Sequence, residues 1–353
     1  PPPPPPPHNY TLFESSAASD VYKRQVIDNS GEITAESTGS AVEVAAAISV
    51  SGVAAATATS TGQSLATAID ASEGDDTDSV INSGDLHAKS TANAAAASVT
   101  VTNAGLAVAA GAVWDGGTKA TSAGRGIDVG AGEDNINNSG AITAESDARA
   151  AELAVSVAVT GVAGAIATST AESTAVGIDA GEEEIDDDTV VNSGDLTVDS
   201  NALAATATVS VTTAGVAVAG GAAWEGGTKS NSQARGIEVG EGADNVDNSG
   251  DMTIKSNAVA AEAAVSVAVS GVAAGVATAT SDSNASGIDA GDGNFVDQVT
   301  NRGDIEVTSH SLAATTSVSV TTAGVAVAAG DVWDGGTEAH SSARGIEVGE
   351  GAD

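Results

Sequence analysis

The sequence contains no cysteine, and it has few aromatic and few basic residues. Without cysteine, neither a disulfide scaffold nor a thiolate metal site is available. Only 11 of the 353 residues are Lys or Arg against 48 acidic residues, which gives a formal net charge of −37. Binding to nucleic-acid backbones or anionic membranes needs clustered basic side chains, so this balance argues against both partners. The acidic excess favours solubility, cation binding or a saline environment.

Proline is confined to one terminal stretch. All seven prolines lie within residues 1–25, which share no motif with the rest of the sequence. Residues 15–25, SSAASDVYKRQ, resemble a translated sequencing adapter, and the alternative is a Pro-rich linker. We therefore set 1–25 aside as a non-native or disordered segment. The absence of proline from residue 26 onward suits extended strands, because proline cannot donate to a sheet ladder.

From residue 26 onward, a phrase of Asn-Ser-Gly, an acidic or small residue and an aliphatic residue returns six times. It begins at Asn29, Asn82, Asn138, Asn192, Asn248 and, altered to NRGDI, at Asn301. A fixed period of this length is typical of repeat architectures. It predicts a repeat region over 26–353 with six units of about 54 residues: 26–81, 82–137, 138–191, 192–247, 248–300 and 301–353. The asparagine suits either a plain turn or an internal ladder between stacked coils.

Alternate units differ in a regular way. Tryptophan occurs only in the second, fourth and sixth units, at Trp114, Trp224 and Trp333. The true period is therefore a doublet of about 110 residues. These tryptophans either stack on a sugar or a partner, or fill a core or cap position. The sequence ends on GEGAD, which opens the longer phrase seen at 240–250, and this predicts a fragment of a longer polypeptide.

Local alternation predicts strands rather than helices. Over residues 205–212, Ala and Val occupy one face of an extended chain while Thr and Ser occupy the other. This is the period of a strand, and Val and Thr favour sheets. An Ala-rich helix or a membrane span over 148–168 is the alternative, but Gly161 and Gly164 interrupt it.

We predict an all-β fold, an elongated β-solenoid of the parallel β-helix type. The small Ala, Val and Gly side chains predict a thin cross-section with closely packed sheets. At about 3.3 Å per residue, each unit is long enough for two or three coils.

Acidic, glycine-rich loops just before the NSG phrase are the sharpest candidates for chemistry. In the Trp-bearing units, residues 129–137 (VGAGEDNIN) and 239–247 (VGEGADNVD) resemble the calcium-binding nonapeptide of RTX proteins. That resemblance implies calcium sites at Gly130, Gly132, Asp134, Gly240, Gly242 and Asp244.

The loops of the other units are more acidic, over residues 70–78, 179–188 and 289–297. Calcium prefers six to eight oxygen ligands, which carboxylates and carbonyls supply. The alternative is a solvated acidic turn. The candidate ligands in these loops are Asp75, Asp76, Asp78, Asp186, Asp188, Asp292 and Asp297.

No catalytic constellation stands out. His87, His310 and His340 do not recur at matching positions, and the many acids single out no acid–base pair. We therefore expect no enzyme activity. Three arginines recur in the phrase RGI(D/E) and are expected to pair with neighbouring acids: Arg125, Arg235 and Arg344.

As a whole, residues 26–353 resemble the repetitive passenger or stalk regions of large bacterial surface and secreted proteins, both autotransporter-like and RTX-adhesin-like. That resemblance implies a non-enzymatic, extracellular module at the bacterial cell surface. It would act as a spacer or as a surface for a cell-surface or glycan partner, with calcium as the one cofactor. No nucleic-acid partner and no membrane insertion of this segment are expected. The alternatives are a polysaccharide-acting β-helix enzyme fragment and a self-assembling extracellular matrix fibre, although the high charge opposes a fibre.

Overall fold

The computed structural model describes residues 24–73, 77–111, 117–181, 186–221, 227–291, 295–330 and 336–348. Over these ranges the chain forms 18 β-strands and no helix, so the predicted all-β class is confirmed. Residues 148–168, for which a helix was the alternative, are mostly strand. Accordingly, the described ranges hold no helix long and apolar enough to cross a membrane. Residues 1–23 of the terminal segment lie outside the described residues.

Three kinds of strand follow one another in every repeat. The first kind has four residues: β1 (Val26–Asn29), β4 (Ser79–Asn82), β7 (Asn135–Asn138), β10 (Thr189–Asn192), β13 (Asn245–Asn248) and β16 (Gln298–Asn301). The second kind has 25 residues: β2 (Ile33–Thr57), β5 (Leu86–Ala110), β8 (Ile142–Ile166), β11 (Leu196–Gly220), β14 (Met252–Val276) and β17 (Ile305–Ala329). The third kind has 10 or 11 residues: β3 (Thr61–Asp70), β6 (Thr118–Asp128), β9 (Ser169–Asp179), β12 (Thr228–Glu238), β15 (Ala279–Asp289) and β18 (Thr337–Glu347).

Strands of one kind stack into one parallel, six-stranded sheet. We call these sheets A, B and C, for the first, second and third kinds of strand. Each residue pairs with its equivalents one unit away, as Asn82 does with Asn29 and Asn138. One unit is therefore one coil, and the predicted parallel solenoid is confirmed. The prediction of two or three coils per unit is wrong, because a single 25-residue strand takes up nearly half of each unit.

The 25-residue strands do not run straight. In β11, the Ser210 hydroxyl donates to the Val218 carbonyl, although eight residues of straight strand would span about 26 Å. The chain turns back at Gly215, which has a φ of 138°. The equivalent glycines also have positive φ: Gly52, Gly105, Gly161, Gly271 and Gly324. Each long strand is therefore an outward arm, a corner and a short return arm that leads into sheet C.

The interior changes character across the width of a coil. Beside sheet A, large aliphatic side chains such as Ile136, Ile142 and Ile178 form the main core. Farther out, sheets B and C approach so closely that a Cβ on Gly124 would lie 2.4 Å from the carbonyl oxygen of Glu145. Alanine clusters fill the space at the corners. The thin cross-section predicted from the small residues is confirmed.

Near the corner, the outward arm buries its hydroxyl face and exposes its apolar face. In β11, Thr206, Thr208, Ser210 and Thr212 are buried, while the Ala and Val residues between them face outward and are partly exposed. The period-two pattern predicted for this segment is confirmed. Backbone carbonyls accept hydrogen bonds from some of the buried hydroxyls, including that of Ser210.

Candidate functional site

Aspartates of the acidic loops meet in one buried column, at the passage from sheet C to sheet A. They hold equivalent positions just before the four-residue strands, and they are 1–7% exposed: Asp78, Asp134, Asp188, Asp244 and Asp297. All five were predicted as ligands from the sequence, and the structure brings them together. We call them the aspartate column.

Each carboxylate of the column accepts a hydrogen bond from the backbone of the preceding coil. Asp188 Oδ1 accepts from the N–H of Asp134, and Asp244 Oδ1 accepts from the N–H of Asp188, both at 2.8 Å. The same bond joins the remaining pairs, and the N–H of Gln25 donates to Asp78 at 2.6 Å. The carboxylates thus satisfy backbone donors that the sheet ladders leave out. The Oδ2 atoms of Asp134 and Asp244 are buried and have no hydrogen-bond partner within the described ranges.

Burial disfavours the ionised form of three of these carboxyl groups. It raises the pKa of Asp134 to about 7, of Asp188 to about 8 and of Asp244 to about 6. Repulsion between neighbouring carboxylates acts in the same direction, whereas the backbone N–H bonds favour the charged form. Because Asp134, Asp188 and Asp244 are coupled, these three carboxyl groups titrate together near neutral pH.

The stacking of the loops explains why glycine occupies the positions that were predicted to bind calcium. The N–H of Gly132 donates to Asp186 Oδ2 at 3.1 Å, and a Cβ on Gly242 would lie 1.8 Å from the carbonyl oxygen of Asp186. Gly130 has a φ of 76°, a conformation that favours glycine. A Cβ on Gly291 would lie 2.1 Å from the carbonyl oxygen of Gly240, so these two loops are also in close contact.

The described ranges contain no group of three or more acidic or histidine side chains placed to hold a metal ion. Calcium requires six to eight oxygen ligands, and among the described residues of the column the fully buried unpartnered carboxylate oxygens are those of Asp134 and Asp244, on alternate coils. Three further candidates, Asp75, Asp76 and Asp292, lie outside the described residues. Calcium binding therefore stays a prediction.

The Asn-Ser-Gly phrase serves as a turn and as a ladder at once. Asn138 Nδ2 donates to the carbonyl of Gly140 at 2.8 Å within its own turn, and to Asn192 Oδ1 at 2.7 Å in the next coil. The same pair of bonds recurs from Asn29 to Asn248, and the ladder ends on Asn301. Both interpretations of the asparagine are confirmed.

Sequence analysis missed a pair of buried glutamates. Glu152 Oε2 accepts from the N–H of Thr118 at 3.1 Å, and Glu262 Oε2 accepts from the Thr228 hydroxyl at 3.3 Å. Burial raises the pKa of both glutamates to about 7. They lie beside the ends of the connections 111–117 and 221–227, where a Cβ on Gly111 would be 1.9 Å from Glu152 Oε1. The sequence held one signal that could have revealed these glutamates: they lie about one doublet apart, each at the start of a long uncharged stretch.

The recurrent arginines form the ion pairs predicted for them. Their Nη1 atoms lie 2.5 Å from carboxylate oxygens three residues ahead, in the pairs Arg125–Asp128, Arg235–Glu238 and Arg344–Glu347. A shallow groove of 260 Å³ on the outer face of sheet C runs between Arg235 and Arg344. Amide and hydroxyl side chains line it beside the arginines: Gln233, Asn284 and Ser342. Trp114, Trp224 and Trp333 lie outside the described residues, so both interpretations of them stay open.

Comparisons of the chain with protein-family models, with curated proteins and with solved structures found no significant match.

Proposed function

We propose that this chain is a non-enzymatic module of a bacterial extracellular surface protein, whose solenoid presents a repeated surface to a cell-surface or glycan partner. The observation that carries the proposal is the in-register stacking of the coils. Because each residue lies over its equivalent, side chains at matching positions form columns along the solenoid axis, such as Gln233, Asn284 and Ser342. Repeated features of this kind suit multivalent binding or spacing.

The outer face of sheet C is our candidate for the binding surface. Gln233 and Asn284 pair side by side on adjacent strands, as do Asn284 and Ser342. Their amide and hydroxyl groups suit hydrogen bonds to sugar hydroxyls. The groove beside the arginine ion pairs also offers charged groups at a fixed spacing.

Binding of the 353-residue chain to a glycan array and to intact cells tests this proposal. We expect selective binding that the double variant Gln233→Ala, Asn284→Ala weakens by about tenfold or more. Thr197→Ala with Thr253→Ala, on the outer face of sheet B, is the matched control and should bind normally. Absence of binding to every glycan and cell type would contradict the proposal, and depolymerisation of a bound glycan would favour the polysaccharide-acting enzyme.

We further propose that calcium stabilises the acidic loops. Thermal unfolding followed by circular dichroism, in millimolar calcium and in chelator, tests this point. A ligand of the folded state raises the melting temperature by mass action. We expect an increase of several degrees that is lost in Asp134→Asn with Asp244→Asn and kept in Asp147→Asn, which alters the outer face of sheet B. An unchanged melting temperature of the unmodified chain would refute the calcium site. It would not bear on the binding surface of sheet C, which the glycan and cell assay tests separately.

A further inference from the structure

The outer face of sheet B has a polar half and an apolar half. Beside sheet A it carries charged residues such as Lys89, Glu145 and Lys255. Toward the corners it carries four columns of mainly Ala and Val side chains, which we call the apolar face. In β11 the four columns pass through Ala205, Ala207, Val209 and Val211. The two valine columns continue through β5, β8, β14 and β17 as Val99, Val155, Val265 and Val318, and as Val101, Val157, Val267 and Val320.

The apolar face is partly exposed while hydroxyl groups between its columns are buried. Leu153 and Val101 are 41% and 36% exposed, whereas Thr100 and Thr208 are fully buried. A strand with one solvated face normally turns its polar side outward. Contiguous apolar surface of this extent marks an interaction site in soluble proteins. The inverted pattern therefore indicates that the apolar face is covered by an apolar partner.

The size of the face matches that of a protein–protein interface. Four columns extend about 26 Å along the strands, and six strands at their usual spacing extend about 29 Å. The resulting area of roughly 750 Å² is close to the area of about 800 Å² that each partner contributes to a stable complex. The return arms carry only two outward columns, such as those of Val216 and Val218, and their area of roughly 400 Å² falls short.

The charge distribution permits a second copy to dock here despite the net charge of −37. Residues 95–111, 204–221 and 313–330 contain no charged side chain. In 151–168 and 261–278 the one charged residue is the buried Glu152 or Glu262, and in 42–58 it is the exposed Glu43. The aspartate column and the acidic loops lie at the opposite end of each coil, beside sheet A. Charges there are separated from the corner by more than the screening length of about 8 Å at physiological salt.

We propose that the apolar face binds a second copy of this chain, about a two-fold axis parallel to the solenoid axis. The face is self-complementary about such an axis over most of its coils, because two columns in which alanine predominates lie beside two columns in which valine predominates. The exceptions are Leu153, Thr316 and, in the first coil, Val42, Val44 and Ala46. Rotation about a line between Ala207 and Val209 places the valine ridges of each copy over the alanine grooves of its partner. It also moves the two acidic ends to opposite sides of the dimer.

Analytical ultracentrifugation of the full chain tests the interface. We expect a dimer at micromolar concentration that tightens as salt rises, since the buried surface is apolar and the remaining charges repel. Val209→Lys with Val265→Lys places two cations at the centre of the face and should weaken dimerisation by about 100-fold or more. Thr197→Lys with Thr253→Lys adds the same charges to the polar half of the same strands and should leave the dimer intact.

Several outcomes would overturn the proposal. One is an unmodified chain that stays monomeric at about 100 μM in both 0.15 and 1 M salt. Another is a dimer that survives the central lysines while circular dichroism shows normal folding. A monomer that floats with phosphatidylcholine vesicles would identify a lipid surface as the occupant instead.

Disulfide cross-linking tests the axis itself, since the chain has no cysteine of its own. A mixture of Ala207→Cys and Val209→Cys chains should give more mixed disulfide than either variant gives alone. Stronger cross-linking within a single variant would contradict the placement of the axis.

Discussion

At the scale of single residues, stacking in register makes each buried side chain a neighbour of its own equivalents. Asparagine tolerates this arrangement well, because its amide both donates and accepts. Serine does too: Ser173 donates to Ser146, Ser200 donates to Ser173, and the column continues to Ser341. Aspartate tolerates it only in part, because ionised carboxylates offer acceptors alone and repel one another.

The aspartate column predicts a chain that is more stable in mild acid than in mild base. The folded pKa values of Asp134, Asp188 and Asp244 exceed the ordinary value of 3.8, so the folded state binds more protons between about pH 4 and pH 8. Stability should therefore be greatest near pH 4 and fall as pH rises through this window. Thermal melts in chelator from pH 4 to pH 8.5 measure it, and greater stability at pH 8 than at pH 5 would contradict the predicted direction.

Asp188→Asn should raise the melting temperature at pH 8 and flatten its dependence on pH. The asparagine keeps the Oδ1 acceptor for the N–H of Asp134 without the buried charge. We expect a gain of about 1–3 kcal/mol in the free energy of unfolding at pH 8, with little change at pH 4. Asp147→Asn on sheet B controls for the lower net charge, and an equal gain in that variant would assign the effect to general repulsion.

The asparagine ladder predicts a different response. Asn192→Ala removes the donor to Gly194 and breaks the side-chain bonds to Asn138 and Asn248. Leaving buried partners unsatisfied should cost about 2–4 kcal/mol. Urea unfolding measures the loss, and exposed Asn103→Ala is the matched control. Equal stability of the two variants would show that the ladder contributes little.

At the scale of elements, the corner of sheet B governs the shape of the coil. The sequence supports the strand assignment here, because its alternation is regular on both sides of Gly215. The fold-back is harder to predict, because a glycine within a run of Ala and Val is compatible both with a corner and with a straight strand that the glycine merely weakens. Hence the number of coils per unit was predicted wrongly. The deciding contact, between Ser210 and Val218, depends on three-dimensional packing.

The corner glycines should be among the most sensitive positions of the fold. Gly215→Ala forces a Cβ onto a residue with a φ of 138° and against the carbonyl of Gly161 at 1.8 Å. We expect a loss of about 3 kcal/mol or more, from backbone strain together with the clash. Gly164→Ala on a return arm is the control, because its Cβ would meet its nearest neighbour at 4.0 Å. Urea unfolding of both variants should separate them clearly, and similar losses would refute the role of the corner.

At the scale of the whole molecule, the doublet is the structural unit. Glu152 and Glu262 lie in odd coils beside the seven-residue connections of the even coils before them. Odd coils have connections of two or three residues, such as 167–168. The tryptophan spacing predicted this alternation, whereas the two buried glutamates were missed. The aspartate column was predicted only as a set of separate loops, because residues about 54 positions apart become neighbours through stacking alone.

Deletion of a whole doublet should therefore be tolerated better than deletion of one coil. Removing residues 139–248 joins Asn138 to Ser249 and keeps both the phrase and the alternation of coils. Removing 139–192 keeps the phrase but places Thr206 where Glu152 met the connection 111–117. We expect the first variant to melt within a few degrees of the full chain and the second to melt clearly lower. Equal melting temperatures would show that the coils are interchangeable.

The one-coil unit also sets how far this solenoid reaches. Successive coils advance by one strand spacing, so six coils extend about 29 Å along the axis. An α-helix of about 20 residues covers the same distance. Each coil instead spends its residues on breadth, with an outward arm of 17 residues in β11 that spans about 56 Å. Each added coil therefore lengthens the solenoid by only one strand spacing along its axis, but adds a strip of surface as broad as the whole coil.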